Sequence, residues 1–327
     1  MRPRISVALC SLNGGKFLRA QLESILNQTQ PPDEIVIGED GSEDDTLAAI
    51  AEVSRRAPDV IRLIQNPVRL GVTRNFEQAI ALTTGDVIFL SDQDDVWVGE
   101  RVSTMLHRLE QDQGVSLVYS DAIMVSGELE PSDRRFFEYL SLARYPQPTA
   151  AQVVKTEAEV AGCLIAFRSR LKPFVLPPVE GWVYDHQLAF IAHAVSRVAR
   201  IDQPLMLHRR HGQNTSSDAF FRRGFRHELE AAKRAATIDV YAEDRRQWEA
   251  MLERLREIAA DHGEAVADHL GDYIGECERR LALARERERW RQMSRARRAA
   301  PALGCLLRGH YHRYLRGFRT FGKDCWL

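Results

Sequence analysis

The sequence contains no long apolar segment. None of its apolar runs approaches the roughly 18 residues that a membrane-spanning helix needs, and mean hydropathy is −0.33. The 45 basic residues nearly balance the 46 acidic ones, so charge of one sign is not in excess. The five cysteines are odd in number and form no CxxC pair, which argues against a disulfide framework and a zinc cage. We therefore expect a folded, cytoplasmic protein.

A glycine-rich phosphate loop is also missing. The chain has no GxxxxGKS or GxxxxGKT motif, and Asn13-Gly14-Gly15 does not complete GxGxxG. Such loops hold phosphates with backbone N–H groups at a helix N-terminus. A diphosphate bound by this chain would instead need a metal cation to neutralise its charge.

Short β-branched runs alternate with helical patterns over the first 120 of the 327 residues. This alternation predicts βαβ units and a mostly parallel sheet. The predicted strands are 5–10, 34–38, 61–65 and 87–90, and the predicted helices are 17–26, 46–53 and 73–82. The runs IVIG and VIFL are apolar throughout, which is typical of central strands. Ligands bind beyond the carboxyl ends of such strands, so the loops after residues 10, 38 and 90 are the first candidates for a site.

The remainder of the chain divides into two parts. Residues 121–217 contain the apolar run AGCLIAF, a helix after Asp185 and the strand-like LMLHRRH, and we expect them to complete the sheet. Apolar residues then recur with helical spacing from about 219 to 298, which predicts an amphipathic helical appendage. The segment 289–323 holds ten Arg or Lys residues and no Asp or Glu.

Three aspartates follow the strand VIFL in the sequence SDQDDVW. If the extended geometry continues, Asp92 and Asp94 point to one side of the chain. Two carboxylates placed in this way suit Mg²⁺ or Mn²⁺, which would also bind the oxygens of a diphosphate. The alternative is an acidic turn that caps the next helix.

A second acidic loop follows the strand IVIG. Asp40 lies just past that strand, and Gly41 permits a tight turn. The Asp40 carboxylate could accept a hydrogen bond from a base N–H or a ribose O–H. Asp44 or Asp45 is more simply the N-cap of the helix that begins near Thr46.

Taken in order, these motifs resemble a known family. The stretches ISVALCSLNGGKFLRAQLESILNQT, DEIVIGEDGSEDDT and NPVRLGVTRNFEQAIALTTGDVIFLSDQDDVW are similar to the family 2 inverting glycosyltransferases of bacterial surface-polysaccharide pathways, rhamnosyltransferases in particular. The resemblance is close over residues 4–105 and continues more sparsely, through AGCLIAF, GWVYDHQLA and HRRHGQNTS, to about residue 217. Each motif is weak alone, but their order and spacing are specific.

The resemblance implies an α/β GT-A fold, with a Rossmann-like central sheet flanked by helices and a C-terminal helical appendage. It places a glycosyltransferase domain at 1–217, with a nucleotide-binding half at about 1–120 and an acceptor half at about 121–217. Residues 218–327 would form the helical region. It further implies a nucleoside-diphosphate sugar donor, such as dTDP-rhamnose or a UDP-sugar, a divalent cation, and a glycan or polyprenyl-linked acceptor.

The resemblance also assigns site residues. According to this resemblance, Asp40 forms a hydrogen bond with a pyrimidine base, and Asp94 is the carboxylate nearest the metal. The nucleotide would contact Ser11, Asn13, Asp40, Gly41, Asn75 and Asp92, and the metal would be held by Asp94, Asp92 and His211. Leu12 departs from the pattern, because many relatives have a base-stacking Tyr at this position.

The acceptor half supplies the catalytic base. By the resemblance Asp185 takes the proton of the attacking hydroxyl, whereas its alternative role is N-cap of a helix over 186–194. Trp97, Trp182 and Tyr184 flank the expected site and are candidates for sugar contact, although aromatic residues more often lie in a core.

The basic tail interleaves Arg with Trp, Tyr, Phe and Leu. This pattern favours peripheral binding to the anionic inner face of a membrane, next to a lipid-linked acceptor, over binding to nucleic acid. A solvated helical face with a small aromatic cluster is the alternative. The sequence as a whole predicts a metal-dependent inverting glycosyltransferase. Two other functions stay open, a non-catalytic glycan-binding scaffold and a sugar nucleotidyltransferase.

Overall fold

A single twisted sheet organises the first two thirds of the chain. The computed structural model describes residues 2–212, 214, 240–315 and 317–326. In this part of the chain the strands are β1 Ile5–Ser11, β2 Glu34–Glu39, β3 Ile61–Gln65, β4 Val87–Ser91, β5 Val96–Trp97, β6 Val115–Ser126, β7 Pro131–Arg135, β8 Ile165–Arg168 and β9 Arg197–Arg210. Their order in the sheet is β3-β2-β1-β4-β8-β6-β9-β5, and β7 pairs with β6.

Helices cover the sheet and continue beyond it. They are α1 Leu18–Leu26, α2 Thr46–Ser54, α3 Val72–Leu82, α4 Arg101–Glu110, α5 Ala150–Thr156, α6 Lys172–Val175, α7 Tyr184–Val195, α8 Val240–Arg291, α9 Arg295–Leu307, α10 His310–Tyr314 and α11 Phe318–Trp326. Short 3₁₀ turns lie at Phe136–Glu138, Leu142–Arg144, Gly162–Leu164 and Ser169–Leu171.

The first half matches the sequence prediction closely. Strands β3, β2, β1 and β4 are neighbours and run parallel, and α1, α2 and α3 connect them. Every residue of β1, β2 and β4 is buried, as the uniformly apolar runs indicated. The carboxyl ends of these strands consequently open on one edge of the sheet.

The second half completes the sheet with mixed pairing. Strand β8 lies antiparallel between β4 and β6, and the long strand β9 runs parallel to β6. The end of β9 also pairs antiparallel with the two-residue strand β5, which directly follows the acidic loop. This last pairing brings the HRRH sequence beside Asp92–Asp95.

The C-terminal region is helical, as expected, although residues 219–239 of the predicted helix lie outside the described residues. Helix α8 bends at His262, and its two arms run side by side, joined by the ion pairs Arg256–Glu278 and Glu249–Arg285. The first arm packs on the sheet domain. There the Trp248 ring lies in an edge-to-face contact with Trp182, at 5.3 Å between centroids.

The basic tail forms helices α9 to α11, which fold back on α8. Trp290, Tyr311 and Tyr314 are buried, and the Tyr314 hydroxyl donates a hydrogen bond to Glu276 Oε2 at 2.8 Å. The sequence grouped these aromatic residues with the lipid-facing ones, but in the structure they hold the tail against α8. Among the helices described here, none combines the length and the apolar character that crossing a bilayer requires.

Candidate active site

The loops after β1, β2 and β4 meet at the carboxyl edge of the sheet. Asn13 adopts a left-handed backbone conformation, and its side-chain oxygen accepts a hydrogen bond from the N–H of Glu43 at 2.9 Å. The Asn13 N–H donates to the Ser42 hydroxyl, also at 2.9 Å. Gly41 lies in the same turn with φ +86° and open space around it. Asn13 and Gly41, two of the predicted nucleotide contacts, therefore belong to adjoining loops.

Hydrogen bonds of Gln93 connect the acidic loop to the loop after β1. Its Oε1 accepts hydrogen bonds from the Leu12 N–H at 2.8 Å and the Ser11 hydroxyl at 3.0 Å, and its Nε2 donates to the Leu12 carbonyl at 2.9 Å. The contact is so close that a Cβ on Gly14 would meet Gln93 Oε1 at 2.2 Å. Sequence reasoning missed Gln93, although strand alternation puts it on the side opposite Asp92 and Asp94.

Asp94 joins the acidic loop to the end of β9. Its Oδ2 lies 2.8 Å from His211 Nε2 and accepts a hydrogen bond from Asn214 Nδ2 at 3.0 Å. The backbone carbonyl of Asp94 accepts a further bond from Arg209 Nε at 2.7 Å. The His211 ring stacks on Phe17, with 4.5 Å between centroids. The structure thus brings Asp94 and His211 together across 117 residues.

Asp92 is the carboxylate with the fewest partners. Within the described residues, no group donates a hydrogen bond to its side chain, whereas Asp94, Asp95 and Asp185 all lie in electrostatic range. Burial, followed by the charges of these neighbours, raises the pKa of Asp92 well above its usual range. Burial and the charge of Asp95 also raise the pKa of Asp94. The charge of His208 acts in the opposite direction on both carboxylates and lowers their pKa values.

A second group of candidate ligands lies deeper in the protein. One ligand atom each of Asp95, Cys163 and His208 falls within 4.8 Å of the others, and all three side chains are buried. Asp95 Oδ1 lies 3.0 Å from His208 Nδ1. Burial lowers the pKa of His208, but the charge and hydrogen bond of Asp95 together with the charges of Asp94 and Asp92 outweigh it, so the pKa is raised. The guanidinium of Arg101, which donates to the Cys163 carbonyl at 2.7 Å, already supplies positive charge here.

The two groups differ in how well they fit a metal cation. Asp92, Asp94 and His211 offer oxygen and nitrogen donors at the open edge of the sheet, and the Asp92 carboxylate lacks a partner among the described residues. Carboxylate and imidazole donors suit Mn²⁺ and, for the oxygens, Mg²⁺. The deeper group has a buried cation of its own in Arg101. Among the described residues, Asp95, Cys163 and His208 are the group whose ligand atoms lie within 4.8 Å of one another. A cation held by Asp92, Asp94 and His211 stays a prediction.

Asp185 lies in the first turn of α7. The helix begins at Tyr184 with Val183 as N-cap, so the alternative in which Asp185 is the N-cap is wrong. Instead Asp185 Oδ2 accepts a hydrogen bond from the Gly162 N–H at 2.9 Å, and Oδ1 accepts one from the His186 N–H at 2.9 Å. These bonds orient the carboxylate within electrostatic range of Asp92.

The three predicted aromatic contacts occupy different surroundings. Tyr184 stacks on Phe76, with centroids 4.0 Å apart, and its buried hydroxyl lies near Asp92 and Asp185. Trp97 and Trp182 are both buried. Trp97 packs on Arg101, and Trp182 Nε1 donates to the Gln247 carbonyl at 3.1 Å. A sugar contact by either tryptophan stays a prediction, and burial argues against it.

The Asp40 carboxylate accepts more hydrogen bonds from within the protein than the sequence indicated. Its Oδ1 accepts hydrogen bonds from the Leu70 N–H at 2.7 Å and from Asn66 Nδ2 at 3.0 Å, and its Oδ2 accepts one from the Gly71 N–H at 2.8 Å. Asn75, another predicted nucleotide contact, is buried below and donates to the Gly38 carbonyl at 2.8 Å. Both residues thus hold the β2 loop, a structural role that adds to the one predicted.

Comparisons with known proteins agree with this architecture. A family model described as "Glycosyl transferase family 2" matches residues 6–170, about half of the chain. An uncharacterized glycosyltransferase of Nostoc is 25% identical over 224 residues, which cover 66% of this chain and 67% of that protein. The matched stretches in two further curated relatives cover only 40% and 33% of their lengths.

Two solved structures share the fold. Staphylococcus aureus TarS 1–349 in complex with UDP-GlcNAc has 17% sequence identity and a TM-score of 0.54, covering 97% of this chain and 90% of that one. A mannosyltransferase of Pyrobaculum calidifontis in complex with GDP-Man and Mn²⁺ has 19% identity and a TM-score of 0.50, covering 99% and 85%. The fold is that of the GT-A glycosyltransferases. The chain belongs to glycosyl transferase family 2.

Proposed function

We propose that the chain transfers one sugar from a nucleoside-diphosphate sugar to an acceptor hydroxyl, with inversion and with the help of a divalent cation. The proposal rests mainly on the position of Asp92. No described residue donates a hydrogen bond to this carboxylate. It lies beside Asp94 and within electrostatic range of Asp185, at the carboxyl edge of the sheet. One site can therefore hold a metal, a diphosphate and a base.

The chemistry needs a single displacement. The acceptor oxygen attacks the anomeric carbon, the bond from that carbon to the diphosphate oxygen breaks, and the nucleoside diphosphate leaves with the electron pair. Asp185 takes the hydroxyl proton, since its carboxylate is held by the N–H groups of Gly162 and His186. A cation bound by Asp92, Asp94 and His211 would stabilise the charge of the leaving diphosphate. One displacement inverts the anomeric configuration.

The pyrimidine donor in this proposal rests on Asp40, which resembles the base-binding acid of the family. The loops of the site place Ser11, Asn13 and Gly41 beside Asp40, and Gln93 fixes the backbone at Leu12, where a stacking aromatic is missing. UDP-sugars and dTDP-rhamnose are the donors to test first. The acceptor in this proposal is a glycan or a polyprenyl-linked glycan, reached from the cytoplasmic face of a membrane.

Calorimetry of the full chain tests the proposal directly. UDP, dTDP and GDP are titrated with and without MnCl₂, and the donor sugars of the bound nucleotide are then incubated with acceptor glycans. We expect cation-dependent nucleotide binding, and a product whose anomeric configuration, read by NMR, is opposite to that of the donor. Retention of configuration would overturn the single displacement. Release of pyrophosphate from a nucleoside triphosphate and a sugar phosphate would indicate a nucleotidyltransferase instead.

A further inference from the structure

One face of α9 is apolar and exposed. Ala299, Ala300, Leu303 and Leu307 follow one another at helical spacing and all are exposed, Leu303 by 48% and Leu307 by 79%. The opposite side of the helix packs inward through Arg298, Ala302 and Cys305. A helix at the surface of a globular protein ordinarily turns its apolar stripe to the core. Helix α9 has a second stripe that faces outward.

Phe318 is a further exposed apolar residue of the tail. It begins α11, which packs against α9, and it is 68% exposed. Its ring makes an edge-to-face contact with His312 at 4.8 Å between centroids. We call Leu303, Leu307 and Phe318 the C-terminal apolar patch. Exposed large apolar residues that cluster mark an interaction site more often than single ones do.

Basic residues outnumber acidic ones in the tail, since residues 289–323 hold ten Arg or Lys residues and no Asp or Glu. Among the described side chains, Arg297 and Arg308 are exposed, whereas Arg313 pairs with Glu276 of α8. The nearest acid in the sequence after them, Asp324, is buried and bound by Arg287 Nε at 2.8 Å. The patch therefore lies in a region of net positive charge.

We propose that the C-terminal apolar patch inserts into the surface of an anionic phospholipid bilayer, while the surrounding arginines contact the headgroups. Apolar insertion combined with several basic residues gives the two contributions that reversible peripheral binding needs. A second copy of the chain fits less well, because a symmetric dimer would bring two positive regions together. The surface uses no residue of the proposed active site, so it is independent of the sugar-transfer proposal.

The buried aromatic residues make this surface rigid before it meets a membrane. The hydroxyls of Tyr311 and Tyr241 both donate to the Asp324 carboxylate, at 2.6 and 2.9 Å, and fix α10 and α11 to α8. Little chain entropy is then lost on binding, which favours attachment. Trp290, Tyr311 and Tyr314 thus act within the protein, whereas the aliphatic face of α9 and Phe318 face outward.

Flotation of the full chain with vesicles tests the proposal. Vesicles of phosphatidylglycerol and phosphatidylcholine are compared with vesicles of phosphatidylcholine alone, at low and high salt. The variant Leu303→Ser/Leu307→Ser/Phe318→Ser is compared with Leu47→Ser/Val68→Ser, which replaces exposed apolar residues on the sheet domain. We expect the wild type and the control variant to float with the anionic vesicles at low salt and to float less at high salt. The patch variant should partition onto the anionic vesicles at least about tenfold more weakly.

Three results would overturn the proposal. They are equal flotation of the patch variant and the control, flotation with neutral vesicles alone, and no flotation of wild type at low salt. Sedimentation velocity without lipid tests whether a second copy of the chain covers the patch instead. If the wild type is a dimer and the patch variant is a monomer, the surface is a dimer interface. Circular dichroism and nucleotide binding of each variant show that the sheet domain is intact, so failure here is distinct from failure of the proposed sugar transfer.

Discussion

At the residue scale, four aspartates of the site have four different environments. Asp40 accepts three hydrogen bonds from its own chain, Asp94 is shared by two side chains, Asp185 is held by two backbone N–H groups, and Asp92 has no donor among the described residues. A carboxylate that is already satisfied gains little from a ligand, whereas one that is crowded by like charges gains most from a cation. Of the four, Asp92 therefore has the most to gain from a cation.

Replacing Asp94 tests where the cation binds. We expect Asp94→Asn to weaken Mn²⁺-dependent nucleotide binding by about 100-fold or more, because metal coordination supplies several kcal/mol and each 1.4 kcal/mol is tenfold in affinity. The matched control is Cys163→Ser, which alters the deeper group of candidate ligands. Calorimetry measures both. Normal binding by Asp94→Asn together with loss in Cys163→Ser would move the cation to the Asp95, Cys163 and His208 group.

Replacing Asp185 separates chemistry from binding. In Asp185→Asn the side chain keeps its size but no longer takes a proton, so kcat should fall by about 10²- to 10⁴-fold while donor affinity stays within about twofold. Asp59→Asn, a change at an exposed position, serves as the control. Steady-state kinetics and donor titration give the two quantities. A parallel loss of donor affinity would assign Asp185 to the nucleotide site.

At the scale of elements, the approach of α7 to the Gly162 turn decides where the base lies. A Cβ on Gly162 would meet the Tyr184 hydroxyl oxygen at 2.1 Å, and Tyr184 cannot move freely because its ring stacks on Phe76. Gly162 also donates its N–H to Asp185. Because Gly162 has no side chain, α7 can approach the Gly162 turn closely, and this approach positions the Asp185 carboxylate.

The variant Gly162→Ala tests this contact. We expect it to cost about 1–3 kcal/mol of stability through overpacking, and to lower kcat because Tyr184 and Asp185 are displaced. Gly99→Ala is the control, since a Cβ at that position meets nothing within 4 Å. Thermal unfolding and steady-state rates are compared for the pair. Equal behaviour of the two variants would show that the Gly162 turn tolerates a side chain.

The elements themselves were largely predictable from local pattern. The observed strands and helices of residues 5–91 begin and end within about one residue of the predicted bounds, because buried parallel strands are uniformly apolar and the helices between them have a clear 3.6-residue period. The helix around Asp185 was placed two residues late. Its N-cap is Val183, which carries no capping side chain and leaves no mark in the sequence.

At the scale of the whole molecule, a buried ionic cluster attaches the tail to the rest of the protein. Asp324 accepts hydrogen bonds from Tyr241, Tyr311 and Arg287, and Arg287 also pairs with Asp244. Burial lowers the pKa of Arg287, but the hydrogen bond and charge of Asp324 together with the charge of Asp244 outweigh it, so the pKa is raised. The guanidinium is therefore charged and depends on Asp324.

Removing Asp324 should release the tail. Asp324→Ala leaves Arg287 buried without its main partner, which costs about 3–5 kcal/mol for a broken buried pair. We expect faster proteolysis of α9 to α11 and a lower melting temperature, with nucleotide binding retained. Asp272→Ala, at an exposed acid on α8, is the control. A variant that resists protease as wild type does would show that other contacts hold the tail.

The sequence by itself determined the class of fold, the order of the first elements, and the acids that follow the strands at the carboxyl edge of the sheet. These features are local, since apolar periodicity and short motifs record which residues are buried and which end a strand. Only the tertiary structure decided that His211 and Asn214 reach Asp94, that Gln93 binds Leu12, and that Trp290, Tyr311 and Tyr314 are buried. Each of these contacts joins residues far apart in the chain or depends on how helices pack, and a one-dimensional pattern does not record such distances.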